Sequence, residues 1–345
     1  MKKISHRYVR KTAAGVVALS MLCAAAIPSV LAMPAGAASA SGDLNGDGSV
    51  TAADVAILQT SLLGGTALTA EQYANADVTG DGAVDGLDLT RLRQMAAVVP
   101  VSDAIAIHLS DSGITVEGDT KGVTAVSGKA VTISASGNYT VDGSITDGQI
   151  LVNIPDTTAD SDAVSLYLQD VTMTSSNGAP CILGQSAKKL KLTCSGENTL
   201  TDTAAEANAD TSGVIYGDCD ITVTKNSTGT LNITSSMNTA IRSKDDIKLN
   251  GGAVVINTDV DDTSDADAIR ANNTLEVDGA SVSITSSADG LKSSKEDVSI
   301  LSGKVSIKVG NDAVQAATAL NISGGTVIAS GDRGFTLDEN GTLAI

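Results

Sequence analysis

The chain has 345 residues, with 22 Lys+Arg against 40 Asp+Glu for a formal charge of −18, and only 2 % of its residues are aromatic. That balance excludes nucleic-acid binding, which needs a basic face for the phosphates, and two histidines with four cysteines leave little for a His-based triad or a zinc site. An acidic chain with 34 Gly and 42 % apolar residues, mostly Ala, Val, Ile and Leu, is a β-former suited to holding hard cations with carboxylates.

Lys2, Lys3, Arg7, Arg10 and Lys11 precede an apolar stretch from Ala13 to about Leu31, and Ala38-Ser39-Ala40 supplies small residues for cleavage. Residues 1–40 are therefore expected to be a secretory signal peptide. Its removal leaves a more acidic, exported protein with no membrane association. Three cysteines then remain, Cys181, Cys194 and Cys219. An odd number rules out a complete disulfide framework, and the alternation around Cys194 and Cys219 places both on apolar, inward positions.

Residues 41–99 carry two calcium-loop patterns. In the first, Asp43, Asn45 and Asp47 supply side-chain oxygens at loop positions 1, 3 and 5, and Gly48 permits the sharp turn. The Ser49 carbonyl and the Asp54 side chain close the shell. The second copy starts 34 residues later, with Asp77, Thr79, Asp81, the Ala83 carbonyl and Asp88. Helical periodicity follows each loop, at Val55, Ile57, Leu58 and Leu62, then at Leu89, Leu92 and Met95.

Two such loops in register resemble a dockerin, the duplicated module that plugs bacterial proteins into cohesin domains of a cellulosome scaffold. The resemblance implies Ca²⁺ as cofactor and a scaffold cohesin as partner. It also implies that the cohesin is read at loop positions 10 and 11, here Ala52, Ala53, Gly86 and Leu87.

Residues 100–345 repeat a short pattern. Asp267-Ala-Ile-Arg270, Asp289-Gly-Leu-Lys292 and Asp312-Ala-Val-Gln315 each lead into two further alternating segments, and their Asp positions are 22 and 23 residues apart. Ala240-Ile241-Arg242 begins a looser copy, and strand-like segments recur back to Val131–Ile133. Three short strands per coil of about 22 residues, with no helical period, predict an all-β right-handed parallel β-helix of about ten coils and about 50 Å of axis. Leu343-Ala-Ile345 falls in the register of Leu320-Asn-Ile322 and the chain stops there, so a truncated last coil is expected.

In stacked coils, Arg242, Arg270 and Lys292 form a basic column, and Asp267, Asp289 and Asp312 an acidic one. Carboxylates spaced so closely repel unless a cation intervenes, which makes Ca²⁺ on that column a physical expectation. Pairing of each Asp with a neighbouring base is the competing arrangement. These coils resemble a family of calcium-binding parallel β-helix modules, related in fold to pectate lyases, that attach to plant cell-wall polysaccharide. The resemblance implies binding of polygalacturonate or cellulose without catalysis, with Arg242, Arg270 and Lys292 contacting sugar.

Two other readings stay open. In a calcium-dependent lyase, Arg270 or Lys292 would take the C5 proton. In a structural surface protein, the β-helix would be only a stalk. Flat aromatic platforms are not expected, because Tyr139, Tyr167, Tyr216 and Phe335 fall outside the coil register. His108 is isolated, which argues against serine-type catalysis.

Overall fold

The computed structural model describes residues 42–46, 50, 52–96, 104–206, 208, 210–258 and 267–345. The expected signal peptide, Asp47 and Ser49 lie outside the described residues, as do the carboxylates of Asp259, Asp261, Asp262 and Asp265.

The loop module holds three helices, α1 (Ala52–Leu62), α2 (Ala70–Ala76) and α3 (Gly86–Ala96). Leu58 of α1 and Leu92 of α3 are fully buried with Leu44 and Ala76, and Val55, Ile57 and Leu89 pack against them, whereas Leu62 is exposed and the Met95 side chain lies outside the described residues. Helix α2 was not foreseen. Its signal is a capping box, in which the Thr69 hydroxyl accepts from the Gln72 N–H and the Gln72 side chain accepts from the Thr69 N–H.

From Ile105 onward the described residues form a parallel β-helix of two sheets, one of 15 strands and one of ten. There are about eight turns of about 26 residues. That is fewer and longer than expected, because early coils carry long loops between Asn153 and Ala163 and between Asp202 and Ile215. Two short antiparallel strands, Thr115–Glu117 and Thr124–Ser127, pair with the first parallel strands and cover their open edges.

Each full coil runs through one strand of the ten-stranded sheet and then two successive panels of the 15-stranded sheet. Thus Ile241–Ser243 is followed by Ile247–Leu249 and Ala253–Thr258, and the next coil begins at Ile269. The corner between the panels needs a left-handed residue, and Gly143, Gly279 and Gly303 supply it at φ of 91°, 103° and 96°. A Cβ at Gly303 would sit 2.3 Å from the Ala280 carbonyl oxygen, so close coil stacking also demands glycine there.

Alternation decides which side chains fill the interior. Ile241, Ile269, Leu291 and Val314 stack in register and are fully buried, each such side chain contributing about 1.5–3 kcal/mol. Tyr139 and Tyr216 are buried as well, so neither offers a sugar platform. Cys181, Cys194 and Cys219 are buried free thiols, and burial pushes each up to about 12.

Candidate functional site

In the first calcium loop, the N–H groups of Leu44 and Asn45 donate to Asp54 Oδ1 at 2.8 and 3.0 Å, and Gly46 N–H donates to Asp43 Oδ1 at 2.7 Å. In the second, carboxylate oxygens of Asp77, Asp81 and Asp88 lie within 4.8 Å of one another. Asp88 is fully buried. Burial raises its pKa, but hydrogen bonds from Asp85 N–H and from the N–H and hydroxyl of Thr79 outweigh that and hold it below the usual carboxylate range. A preformed set of converging carboxylate oxygens around a Gly82 turn is what a hard divalent cation takes. Thr79, at position 3, spends its hydroxyl on Asp88 at 3.0 Å. Ala52 opens α1 with Ala53 beside it, and Gly86 opens α3 with Leu87 exposed next to it.

On the ten-stranded sheet, Arg242 pairs in register with Arg270, and Arg270 with Lys292. The basic column therefore exists, one residue per coil on the outward side. Asp267, Asp289 and Asp312 stack beside it at the coil corner, but their side chains are only 3 %, 10 % and 3 % exposed. The ladder lies beneath the basic side chains instead of outside them. Lys292 Nζ is 2.8 Å from Asp289 Oδ2 and 3.6 Å from Asp267 Oδ1. Arg270 Nη1 is 3.6 Å from Asp267 Oδ2, and Arg333 Nε is 2.6 Å from Asp312 Oδ1. Among the described residues Arg242 has no ion-pair partner, which leaves it the uncommitted cation of the column.

Burial pushes the Asp267 carboxyl up to about 7, against the pull of Lys292, with Asp289 adding to the rise. Asp289 is held below its ordinary range although burial acts to raise it, because the Lys292 ammonium and the Asp312 N–H bind its charge.

The folded state thus holds the Asp267 proton more tightly than the unfolded chain does. In metal-free buffer this contribution is full below about pH 4 and lost as pH rises toward about 7, a few kcal/mol at most. The Asp289 contribution has the opposite sense, present above its ordinary value and lost in acid. Urea midpoints across this range should therefore fall with rising pH, and Asp267→Asn should flatten that slope; an unchanged slope would remove Asp267 from the account.

Sequence reasoning missed two features of the β-helix. Thr239 occupies the coil position equivalent to Asp267 and is fully buried, and neither Thr239 Oγ1 nor Asp267 Oδ2 has a hydrogen-bond partner. The only available signal was its place two residues before Ile241, as Asp267 stands before Ile269. At another corner, Asp220, Asp245 and Asp246 bring carboxylate oxygens within 4.8 Å of one another. Lys189 Nζ stands 3.4 Å from Asp220 there. The Asp245-Asp246 doublet was visible but not its coil partner, and Asp267, Asp289 and Asp312 are not brought together in this way.

Residues 127–340 match the family described as carbohydrate-binding domain-containing protein, and residues 41–95 match the dockerin type I domain. A carbohydrate-binding domain-containing protein of Acetivibrio thermocellus is 33 % identical over 138 residues, 38 % of this chain and 46 % of that protein. The chain thus spans about half the length of that relative. A solved polysaccharide lyase-like protein from C. thermocellum aligns with 70 % of this chain and 100 % of its own, at 20 % identity and a TM-score of 0.48. The chain belongs to the carbohydrate-binding domain-containing protein family, with a dockerin type I domain preceding the β-helix.

Proposed function

We propose that the protein is an exported, cellulosome-type component that grips acidic plant cell-wall polysaccharide through its β-helix, with Ca²⁺, while its dockerin docks it to a scaffold cohesin. The observation that carries this reading is the outward column Arg242–Arg270–Lys292 within the family-matched region. A uronate chain presents one carboxylate per sugar, and the coil spacing of about 4.8 Å presents one cation per coil.

Calcium fits two places. The dockerin loops offer converging oxygens from Asp77, Asp81 and Asp88. In the β-helix, Asp267 Oδ2 and Thr239 Oγ1, one coil apart, are buried without a hydrogen bond, and Asp289 lies on the other side of Asp267. Such oxygens are the donor type a hard cation takes, although Arg270 stands 3.6 Å from Asp267 Oδ2. A bound cation there would neutralise the corner and free Arg270 and Lys292 to face the sugar. Asp312 stays engaged with Arg333 and would follow only if that pair opened.

With the corner free of metal, the state of Lys292 speaks against its use as the lyase base, while Arg270 stays the other candidate and the assay for unsaturated product decides between binding and catalysis. Burial would lower its pKa, but Asp267 and Asp289 more than offset that and keep it protonated, the wrong form for a general base. Native gels containing polygalacturonate, run with Ca²⁺ and with EDTA, test the reading. Calcium-dependent retardation is expected for the full chain, with at least tenfold weakening in Arg242→Ala and no unsaturated product. Product that vanishes in Lys292→Ala would establish a lyase; absence of retardation in both buffers would refute the acidic-polysaccharide reading.

A further inference from the structure

The outward column of the ten-stranded sheet continues beyond its basic residues in both directions. In register it reads Tyr216, Arg242, Arg270, Lys292, Gln315 and Thr336. Three cations therefore stand on consecutive rungs, with an uncharged residue on either side of the set. At a coil spacing of about 4.8 Å the outer two lie about 10 Å apart.

The two ends close differently. Tyr216 is outward by register yet only 1 % exposed, so a polymer lying along the column meets no free side chain there. Lys244 Nζ lies 5.6 Å from the centre of its ring and 2.8 Å from Asp218 Oδ1, so that amine covers the rung and is spent on a carboxylate. At the other end Gln315 is partly exposed and carries no charge. Arg333 stands one column over, in register with Asp312, and lies 2.6 Å from it.

Within the three rungs the protein fixes the spacing. Arg270 Nε donates to Ser294 Oγ at 3.1 Å and its Nη1 stands 3.6 Å from Asp267, while Lys292 Nζ is held 2.8 Å from Asp289. Guanidinium and ammonium groups carry more N–H donors than these contacts use, so both bases can still bind an anion from outside. Partly buried and tethered, they cannot swing to follow an irregular array of charges.

We infer that this column reads a run of three consecutive free uronates and rejects a run interrupted by an esterified or neutral sugar. The inference rests on the acidic-polysaccharide reading and adds to it a length and a pattern. An ester at any rung removes the anion and leaves a base facing a neutral carbonyl. That forfeits a charge-assisted hydrogen bond, roughly twice as strong as a neutral one. Where the polymer carries uronate esters, carboxyl-ester hydrolysis is the class of reaction that must supply this ligand. Water cleaves the acyl–oxygen bond, the alcohol departs, and the carboxylate remains with release of a proton.

Competition against polygalacturonate retardation of the full chain, in Ca²⁺ buffer, tests this. Each charge-assisted rung is worth about tenfold, so trigalacturonate should compete about tenfold better than digalacturonate, and tetragalacturonate within about twofold of the trimer. Gln315→Lys repeats at Asp312 the spacing of Asp289 and Lys292 and adds a fourth cation. It should make the tetramer at least threefold better than the trimer. A partly methyl-esterified polygalacturonate with its free carboxylates in blocks should compete at least fivefold better than one of equal ester content with them at random. Competition that rises evenly from two to five sugars, or is equal for the two esterified polymers, would overturn the three-rung inference and leave the acidic-polysaccharide reading standing. A break still at the trimer in folded Gln315→Lys would overturn it too; if that variant misfolds, the oligomer series of the unmodified chain decides. No retardation of the unmodified chain by polygalacturonate, with Ca²⁺ or with EDTA, would refute both.

Discussion

Replacing Lys292 with methionine is expected to destabilise the β-helix by about 3–5 kcal/mol at pH 8, the cost of leaving a buried charge without its partner. Lys292 is the only group within 4 Å of both Asp267 and Asp289 among the described ion pairs, and both carboxylates are nearly enclosed. The loss should be smaller at pH 5, where Asp267, held up to about 7, is already neutral. The double variant Lys292→Met/Asp289→Asn removes both charges and should recover most of the stability. Urea denaturation at constant m-value reads each step. A single variant as stable as the unmodified chain would show that the corner is wetter than its burial implies. The same variant should lose polygalacturonate retardation, and the double variant should not regain it, which separates the stabilising role of Lys292 from its sugar contact.

Asp88→Ala is expected to lower the calcium affinity of the second dockerin loop at least tenfold and to abolish capture by a cohesin panel. Asp88 is buried, gathers three hydrogen bonds from Thr79 and Asp85, and sits with Asp77 and Asp81 in the converging set. Among the described residues only Leu44, Leu58, Ala76 and Leu92 form the buried apolar core of the module, so bound ions are expected to supply part of its folding free energy. EDTA should therefore reproduce the variant's loss, and excess Ca²⁺ should not rescue the variant. In the opposite sense, Thr79→Asp adds an anionic oxygen at loop position 3 and should tighten that site severalfold. Calorimetric calcium titration distinguishes the three proteins, and unaltered affinity in Asp88→Ala would refute the ligand assignment.

Much of the β-helix was legible because its code is local and repeated. Alternating apolar residues show which side chains point inward, and the spacing of Asp267, Asp289 and Asp312 shows which coils stack. The structure pairs Arg242, Arg270 and Lys292 in the register that the repeats imply. The two loop patterns were equally legible, since a calcium loop writes its ligands and its glycine into a dozen consecutive residues. Coil number was not, because loops such as that between Asp202 and Ile215 change length without disturbing the strands they join. Helix α2 was missed because its seven residues are too short for a periodic signal.

The sequence by itself determined that the chain repeats as a solenoid, that a dockerin module with two loop motifs precedes it, and which side chains share a column. Only the tertiary structure decided what each column does. Burial, which depends on the neighbouring coils, drew Asp267, Asp289 and Asp312 under Lys292, Arg270 and Arg333, so that each carboxylate is enclosed beside a base. Register across strands set far apart in sequence assembled Asp220 with Asp245 and Asp246. It also aligned Thr199, Asn232, Val255 and Ser283 in one column across four strands. A one-dimensional pattern reports the alternation of a strand; which coil lies against it, and how much water remains there, is settled only when the coils stack.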